Sequence, residues 1–176
     1  MNNDKMSLTK RLTISGLCAA MGIVLSYVFH AFGWSGSGLG QIFLPLHVPV
    51  LLCGLICGWK AGLSVGAIVP LLSVLLVGRP PLYPIGLVMM FELAAYGTIS
   101  GILKKQNVFA ALIAAMLGGR AVFGIATAVF TGFGENGFAI KTFLTSAFVT
   151  AFPGIIIQIV LIPAVMIALN KSKVIT

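Results

Sequence analysis

Six apolar runs divide the chain, at about residues 12–32, 43–58, 61–78, 84–103, 108–131 and 142–169, separated by glycine, proline or charged breaks. A hydrocarbon core about 30 Å thick takes roughly 20 helical residues to cross. Six crossings with short connections therefore use nearly all of the 176 residues. The pattern predicts an all-α integral membrane protein of six transmembrane helices, a single membrane domain over 1–176. It leaves no length for an ATPase, a receptor domain or a periplasmic module.

The runs differ in detail. The second is short and carries Pro45 and Pro49 in its first turns, and the sixth is long, with Pro153-Gly154 predicting a kink near its first third. The first follows a basic N-terminal stretch, as a secretory signal would. It extends from about Leu12 to Phe32 and further spans follow it, so it reads as a retained helix. Helices 1–3 and 4–6 share no alignable motif, so an inverted-repeat transporter is not indicated.

Composition agrees with the pattern. Apolar residues make up 59% of the chain and charged residues 8%, with a mean hydropathy of +1.12, more than one water-soluble core absorbs. The net charge of +8 would suggest nucleic acid in a soluble protein, but the positions of the charges argue otherwise. With the N-terminus inside, Lys5, Lys10, Arg11, Lys60, Lys104, Lys105, Lys171 and Lys173 all fall on the inner side, and only Arg79 and Lys141 fall on outer loops. That bias places both termini in the cytoplasm and excludes nucleic acid as a partner.

Small residues let helices approach closely in lipid. Ser15/Ala19, Gly16/Ala20 and Cys18/Gly22 form such pairs on helix 1, and Ala110/Ala114 and Ala111/Ala115 on helix 5.

Two charges lie inside the apolar runs. Glu92 is about eight residues into helix 4 from the outer side and Arg120 about eleven into helix 5, depths that differ by roughly 5 Å. Ionised groups at that depth are expensive unless paired or lining a wet cavity. They either bind a ligand or hold each other in a structural ion pair at the floor of a polar cavity. Tyr96 and Ser100 follow Glu92 at helical spacing; Gly124, Thr127 and Thr131 follow Arg120; Ser146, Thr150 and Gly154 form a third stripe on helix 6. His47 stands one turn into helix 2 from the same side.

The outer segments add Trp34 in a glycine-rich stretch, Arg79 and Tyr83 in a proline-stiffened loop, and Asn136. Arg79 either meets an anionic ligand or is a solvated exception to the charge bias. The glycines from Gly36 to Gly40 lack the context and the Gly-Lys-Ser/Thr ending of a phosphate loop and read as a flexible lid.

Glu92 is the only intramembrane acid, which excludes an acid pair or a metal-carboxylate site, and no Ser-His dyad has supporting context. Cys18, Cys53 and Cys57 are an odd set inside apolar runs and read as buried thiols, without metal or disulfide. No cofactor is expected.

Several stretches resemble the substrate-binding S components of energy-coupling factor (ECF) vitamin transporters. These are Leu44-Pro45-Leu46-His47-Val48-Pro49-Val50-Leu51-Leu52-Cys53-Gly54, Gly58-Trp59-Lys60-Ala61-Gly62, Gly78-Arg79-Pro80-Pro81-Leu82-Tyr83-Pro84, Met90-Phe91-Glu92-Leu93-Ala94-Ala95-Tyr96-Gly97 and Gly119-Arg120-Ala121-Val122-Phe123-Gly124. The local sequence is most similar to pantothenate-type members, and a carboxylate ligand would suit an available arginine. If Glu92 already neutralises Arg120, a neutral, nucleoside-like or heterocyclic precursor stacking on Trp34 or Tyr83 gains ground instead. The resemblance implies a protein of the prokaryotic plasma membrane that binds a vitamin or precursor at its outer face. It implies docking on a membrane scaffold subunit driven by two cytoplasmic ATPases, with release of the ligand inside by toppling.

Family members commonly dock through an alanine-spaced motif on helix 1. Here Ser15, Gly16, Ala19 and Ala20 stand in for it. The expected function is therefore non-catalytic capture for an ATP-driven importer. The competing reading is a proton-coupled small secondary transporter or channel that titrates Glu92.

Overall fold

The structure, a computed structural model, describes residues 6–32, 46–78, 80–132, 143 and 145–172, without the side chains of 146–148. Of the candidate binding residues, Trp34, Arg79 and Asn136 lie outside this set, as do the glycine-rich segment 36–40 and the Ser146 side chain.

The described residues form helices α1 (Leu8–Ala31), α2 (His47–Cys57), α3 (Trp59–Val77), α4 (Leu87–Ile102), α5 (Val108–Thr131) and α6 (Phe152–Lys171), with no strand among them. A kinked turn (Leu82–Gly86), extended at Tyr83, and a 3-10 turn (Leu103–Lys105) flank α4 at either end, and a π-helical turn (Thr145–Thr150) precedes α6. The axis of the sixth run breaks at Ala151, just ahead of Pro153 in the first turn of α6. Side chains cap two N-termini: Ser7 accepts from the Lys10 amide at 3.3 Å, and Asn107 accepts from Phe109 at 3.0 Å.

Five segments are long and apolar enough to cross a membrane: Leu8–Ala31, Trp59–Val77, Leu82–Lys105, Val108–Thr131 and Phe152–Lys171. The chain is a multi-pass membrane protein. Of the second run, expected to cross over 43–58, the described residues form His47–Cys57. Its described helix has 11 residues, which rise roughly 16 Å and reach about half-way through a bilayer. It ends at Gly58, whose φ of 93° a side chain would disfavour. Every residue of α2 except Val48 is buried. A helix apolar on all sides belongs inside a bundle, and α2 is the core around which the longer helices stand.

The packing register follows from close contacts. α1 runs antiparallel to α2, with the Cys57 thiol 3.8 Å from the Arg11 carbonyl and the Cys53 thiol 3.7 Å from the Ser15 hydroxyl. It runs parallel to α3, where the Ser26 and Ser73 hydroxyls share a 2.6 Å hydrogen bond. α4 packs against α2, α3 and α5, and α6 against α2 and α5.

The tightest packing is not where the small-residue pairs were expected. It lies on α2, α3 and α4, where Gly58, Gly62 and Gly66 and then Gly97 and Gly101 recur every fourth residue. A Cβ on Gly62 would strike the Gly97 carbonyl, one on Gly66 the Leu93 carbonyl, one on Gly101 the Trp59 backbone, and one on Gly54 the Ser100 hydroxyl. Backbones in contact at these points fix the depth and rotation of α4 against the α2–α3 hairpin.

Of the expected pairs, Cys18 and Gly22 are buried, with a Cβ on Gly22 coming to 2.9 Å from Val69 Cγ1, Ala111 and Ala115 are fully buried, and Ala110 is exposed. On α1, Ser15 and Ala19 turn toward the core, while Gly16 and Ala20 are exposed, and a Cβ on Gly16 would meet nothing.

Gly62→Ala is expected to destabilise the bundle by about 1–3 kcal/mol, the usual range for overpacking, and Gly16→Ala to leave it unchanged. Thermal unfolding of the two purified variants in detergent compares them directly.

Candidate ligand site at mid-depth

The glycine contacts turn one face of α4 toward α2 and α5, and that face carries Glu92 and, one turn on, Tyr96. Glu92 Oε1 accepts a hydrogen bond from Arg120 Nη1 at 2.9 Å. His47 Nε2 lies 3.5 Å from the same oxygen. His47 and Glu92 are each 1% exposed and Arg120 is 6% exposed, so the three groups are shut off from solvent and lipid together. Tyr96 meets His47 edge-on, with ring centroids 4.9 Å apart. Its other side rests on Gly119, where a Cβ would come within 2.6 Å of ring carbons.

Arg120 stands near the middle of the 24-residue α5. It is roughly 18 Å from the helix start and 17 Å from its end. The expected offset in depth between Glu92 and Arg120 is bridged by the long arginine arm, and the two form one ion pair between adjacent antiparallel helices.

The pair does not use up the polar groups around it. Arg120 Nε and Nη2, both ring nitrogens of His47, and Gln158 Nε2 are buried and have no hydrogen-bond partner among the described residues. Each such group forfeits about 1–3 kcal/mol relative to a satisfied one, and His47 and Arg120 both stand beside Glu92, which makes this cluster the candidate for receiving a polar ligand. The Arg120 guanidinium also stands 5.9 Å from the Phe123 ring centroid, and Phe123 stacks on Phe143 at 6.0 Å. An aromatic wall thus borders the charged floor.

Gln158 escaped the sequence reading, which followed Ser146, Thr150 and Gly154 along helix 6. The signal was present: Gln158 continues that stripe one turn past Gly154, and it is the one amide in an apolar stretch. With Gly154, Ile162 and Met166 it forms the buried face of α6.

Other candidates fall elsewhere. Tyr83 is 63% exposed, and its hydroxyl donates to the Phe130 carbonyl at 2.6 Å, which ties the start of the α4 segment to the end of α5. Thr127 and Thr131 donate to carbonyls of their own helix, and the buried Ser100 to the Gly97 carbonyl. Cys18, Cys53 and Cys57 are free buried thiols on α1 and α2. Among the described residues, no group of His, Cys, Asp and Glu is arranged to hold a metal ion.

The family model described as the ECF transporter substrate-specific component matches residues 10–166, most of the chain. No curated protein and no solved structure matches it.

Glu92→Gln removes the partner of a buried cation and is expected to destabilise the fold by about 3–5 kcal/mol. The double variant Glu92→Gln/Arg120→Gln is expected to regain most of that loss. A double-mutant cycle on thermal unfolding measures the coupling.

Proposed function

The chain belongs to the family of ECF transporter substrate-specific components, and on that premise we propose that it captures a vitamin or related micronutrient, pantothenate foremost, at the buried cluster. The observation that carries this reading is the state of Arg120. Its Nη1 is committed to Glu92, while Nε and Nη2, the two donors on the side-on edge of the guanidinium, have no partner among the described residues. A carboxylate accepts two parallel N–H bonds from such an edge. Glu92 therefore neutralises the arginine without closing its fork, and a carboxylate ligand remains a good fit. Pantothenate brings that carboxylate together with hydroxyls and an amide, which His47 and Gln158 suit as hydrogen-bonding partners.

In this reading the chain crosses the prokaryotic plasma membrane six times with both termini inside, as a single membrane domain. The ligand enters from the outer end, where Trp34, Arg79, Tyr83 and Asn136 close over it. The energy for release comes from a scaffold subunit and two cytoplasmic ATPases. The scaffold docks on the outward face of α1, where Gly16 and Ala20 leave room for a partner helix, with Ser15 and Ala19 alongside.

Calorimetry on the purified chain with a panel of vitamins tests the ligand. Pantothenate is expected to bind, and Arg120→Lys, which keeps the charge but loses the fork, to weaken binding by about 2 kcal/mol, roughly 30-fold. Uptake into vesicles is expected only when the scaffold and ATPases are present. Accumulation by the isolated chain under a proton gradient would instead establish a secondary transporter that uses Glu92.

A further inference from the structure

At the end of the bundle where α1 and α3 begin, cations from three segments gather round a single glycine. We propose that this corner, where α2 turns into α3 at Gly58, binds the headgroup of an anionic phospholipid.

Local geometry brings the cations there. The positive φ of Gly58 turns the chain from α2 into α3, and Gly101 lets the end of α4 lie against the Trp59 backbone. The 3-10 turn that follows α4 then lays Lys104 over the corner, where a Cβ on Gly58 would stand 3.2 Å from the Lys104 ammonium. α1 adds a second cation. The Arg11 carbonyl meets the Cys57 thiol at 3.8 Å, and the Arg11 guanidinium is near enough to that thiol to act on it electrostatically. Arg11 Nε is buried and has no hydrogen-bond partner among the described residues. Lys60, in the first turn of α3, holds its ammonium 5.5 Å from the Trp59 ring centroid.

The chain supplies too few acids to balance this group. The helix ends that meet at Gly58 carry opposite partial charges of about half a unit, which cancel to first order. The acids are Asp4, Glu92 and Glu135. Glu92 is committed to Arg120 at mid-depth. Glu135 follows the opposite end of α5, a helix roughly 36 Å long, and the residues between Thr131 and Glu135 span at most about 14 Å. Asp4 remains, and Lys5 and Lys10 offset it within the same stretch. The corner lacks an anion that the chain does not provide.

The surroundings select a lipid over an acidic protein segment. Four apolar spans start or stop here, Leu8–Ala31, Trp59–Val77, Leu82–Lys105 and Val108–Thr131. The corner therefore stands at a membrane boundary, at the level of the bilayer phosphates. Trp59 and Leu63, one turn apart on α3, are both exposed, and an aromatic ring beside a cation is characteristic of that boundary. A ligand with an anionic head and an apolar chain satisfies the cations and this apolar column together. A phosphate accepts charge-assisted hydrogen bonds from several donors at once, and basic pockets between helices at a membrane face take such headgroups.

Native mass spectrometry of the full chain tests this, with phosphatidylglycerol and phosphatidylcholine of identical acyl chains added in detergent. The readout is the Kd of the first lipid bound. Phosphatidylglycerol is expected to bind at least tenfold more tightly. Lys104→Gln and Arg11→Gln are each expected to lose roughly fivefold of that preference, as about 1 kcal/mol per cation near the bilayer surface implies. Lys171→Gln removes an equal charge from α6, which takes no part in these contacts, and is expected to change nothing.

Equal affinity for the two lipids overturns the proposal. So does an equal loss in Lys171→Gln, which assigns the preference to net charge, and so does displacement of phosphatidylglycerol by inorganic phosphate, which assigns the corner to a free anion. Variants that keep the full lipid preference but no longer join a scaffold subunit assign it to an acidic protein surface and overturn the proposal as well. If Arg11→Gln does not fold, Lys104→Gln, whose side chain is only partly buried, carries the test. None of these outcomes depends on which ligand occupies the mid-depth site.

Discussion

Lipid gives apolar helices no hydrophobic reason to associate, so in this protein α4 is located by backbone contact. Gly54, Gly62 and Gly66 on one side and Gly97 and Gly101 on the other bring main chains together without side chains between them. Helices that touch at that distance have one rotation and one depth available to them. Everything polar on α4 is then placed: Tyr96 immediately precedes Gly97, and Glu92 lies one turn before Tyr96, so the glycine seam aims both at His47 and Arg120.

The electrostatics depend on that placement. An ion pair in hydrocarbon is tolerable only while both members stay together, and it gives α4 and α5 a strong preference for one register. Gly119 contributes as much by what it lacks. Without a Cβ there, the Tyr96 ring lies against α5, and its edge closes the space around His47. The result is a small polar compartment inside an apolar bundle, with more donors than the described residues satisfy.

The helical membrane character was legible in the sequence because apolar runs of membrane length have no other economical explanation in a chain with three acidic residues. The pairing of Glu92 with Arg120 was legible for a related reason, since two opposite charges inside apolar runs have few ways to be accommodated. What the pattern left hidden was which glycines carry the packing. Pairs on helices 1 and 5 and the seam at Gly58, Gly62 and Gly66 look alike as spacing, and only the contact with α4 distinguishes them. Gln158 was legible as the next position of the Ser146, Thr150 and Gly154 stripe, but as an uncharged amide it stands out less from an apolar run than Glu92 and Arg120 do. The tie from the Tyr83 hydroxyl to the Phe130 carbonyl was hidden too, because no spacing links residues so far apart in the chain.

The position of Arg120 half-way along α5 bears on kinetics as much as on affinity. If Arg120 anchors the ligand, as proposed, the ligand lies roughly 17 Å along α5 from either end of the helix, and it departs only when the segments around it separate. Its residence time is set by the bundle's own opening rate, and two ligands of unequal affinity can leave at the same speed. A second protein that loosens these helices governs release without touching the ligand.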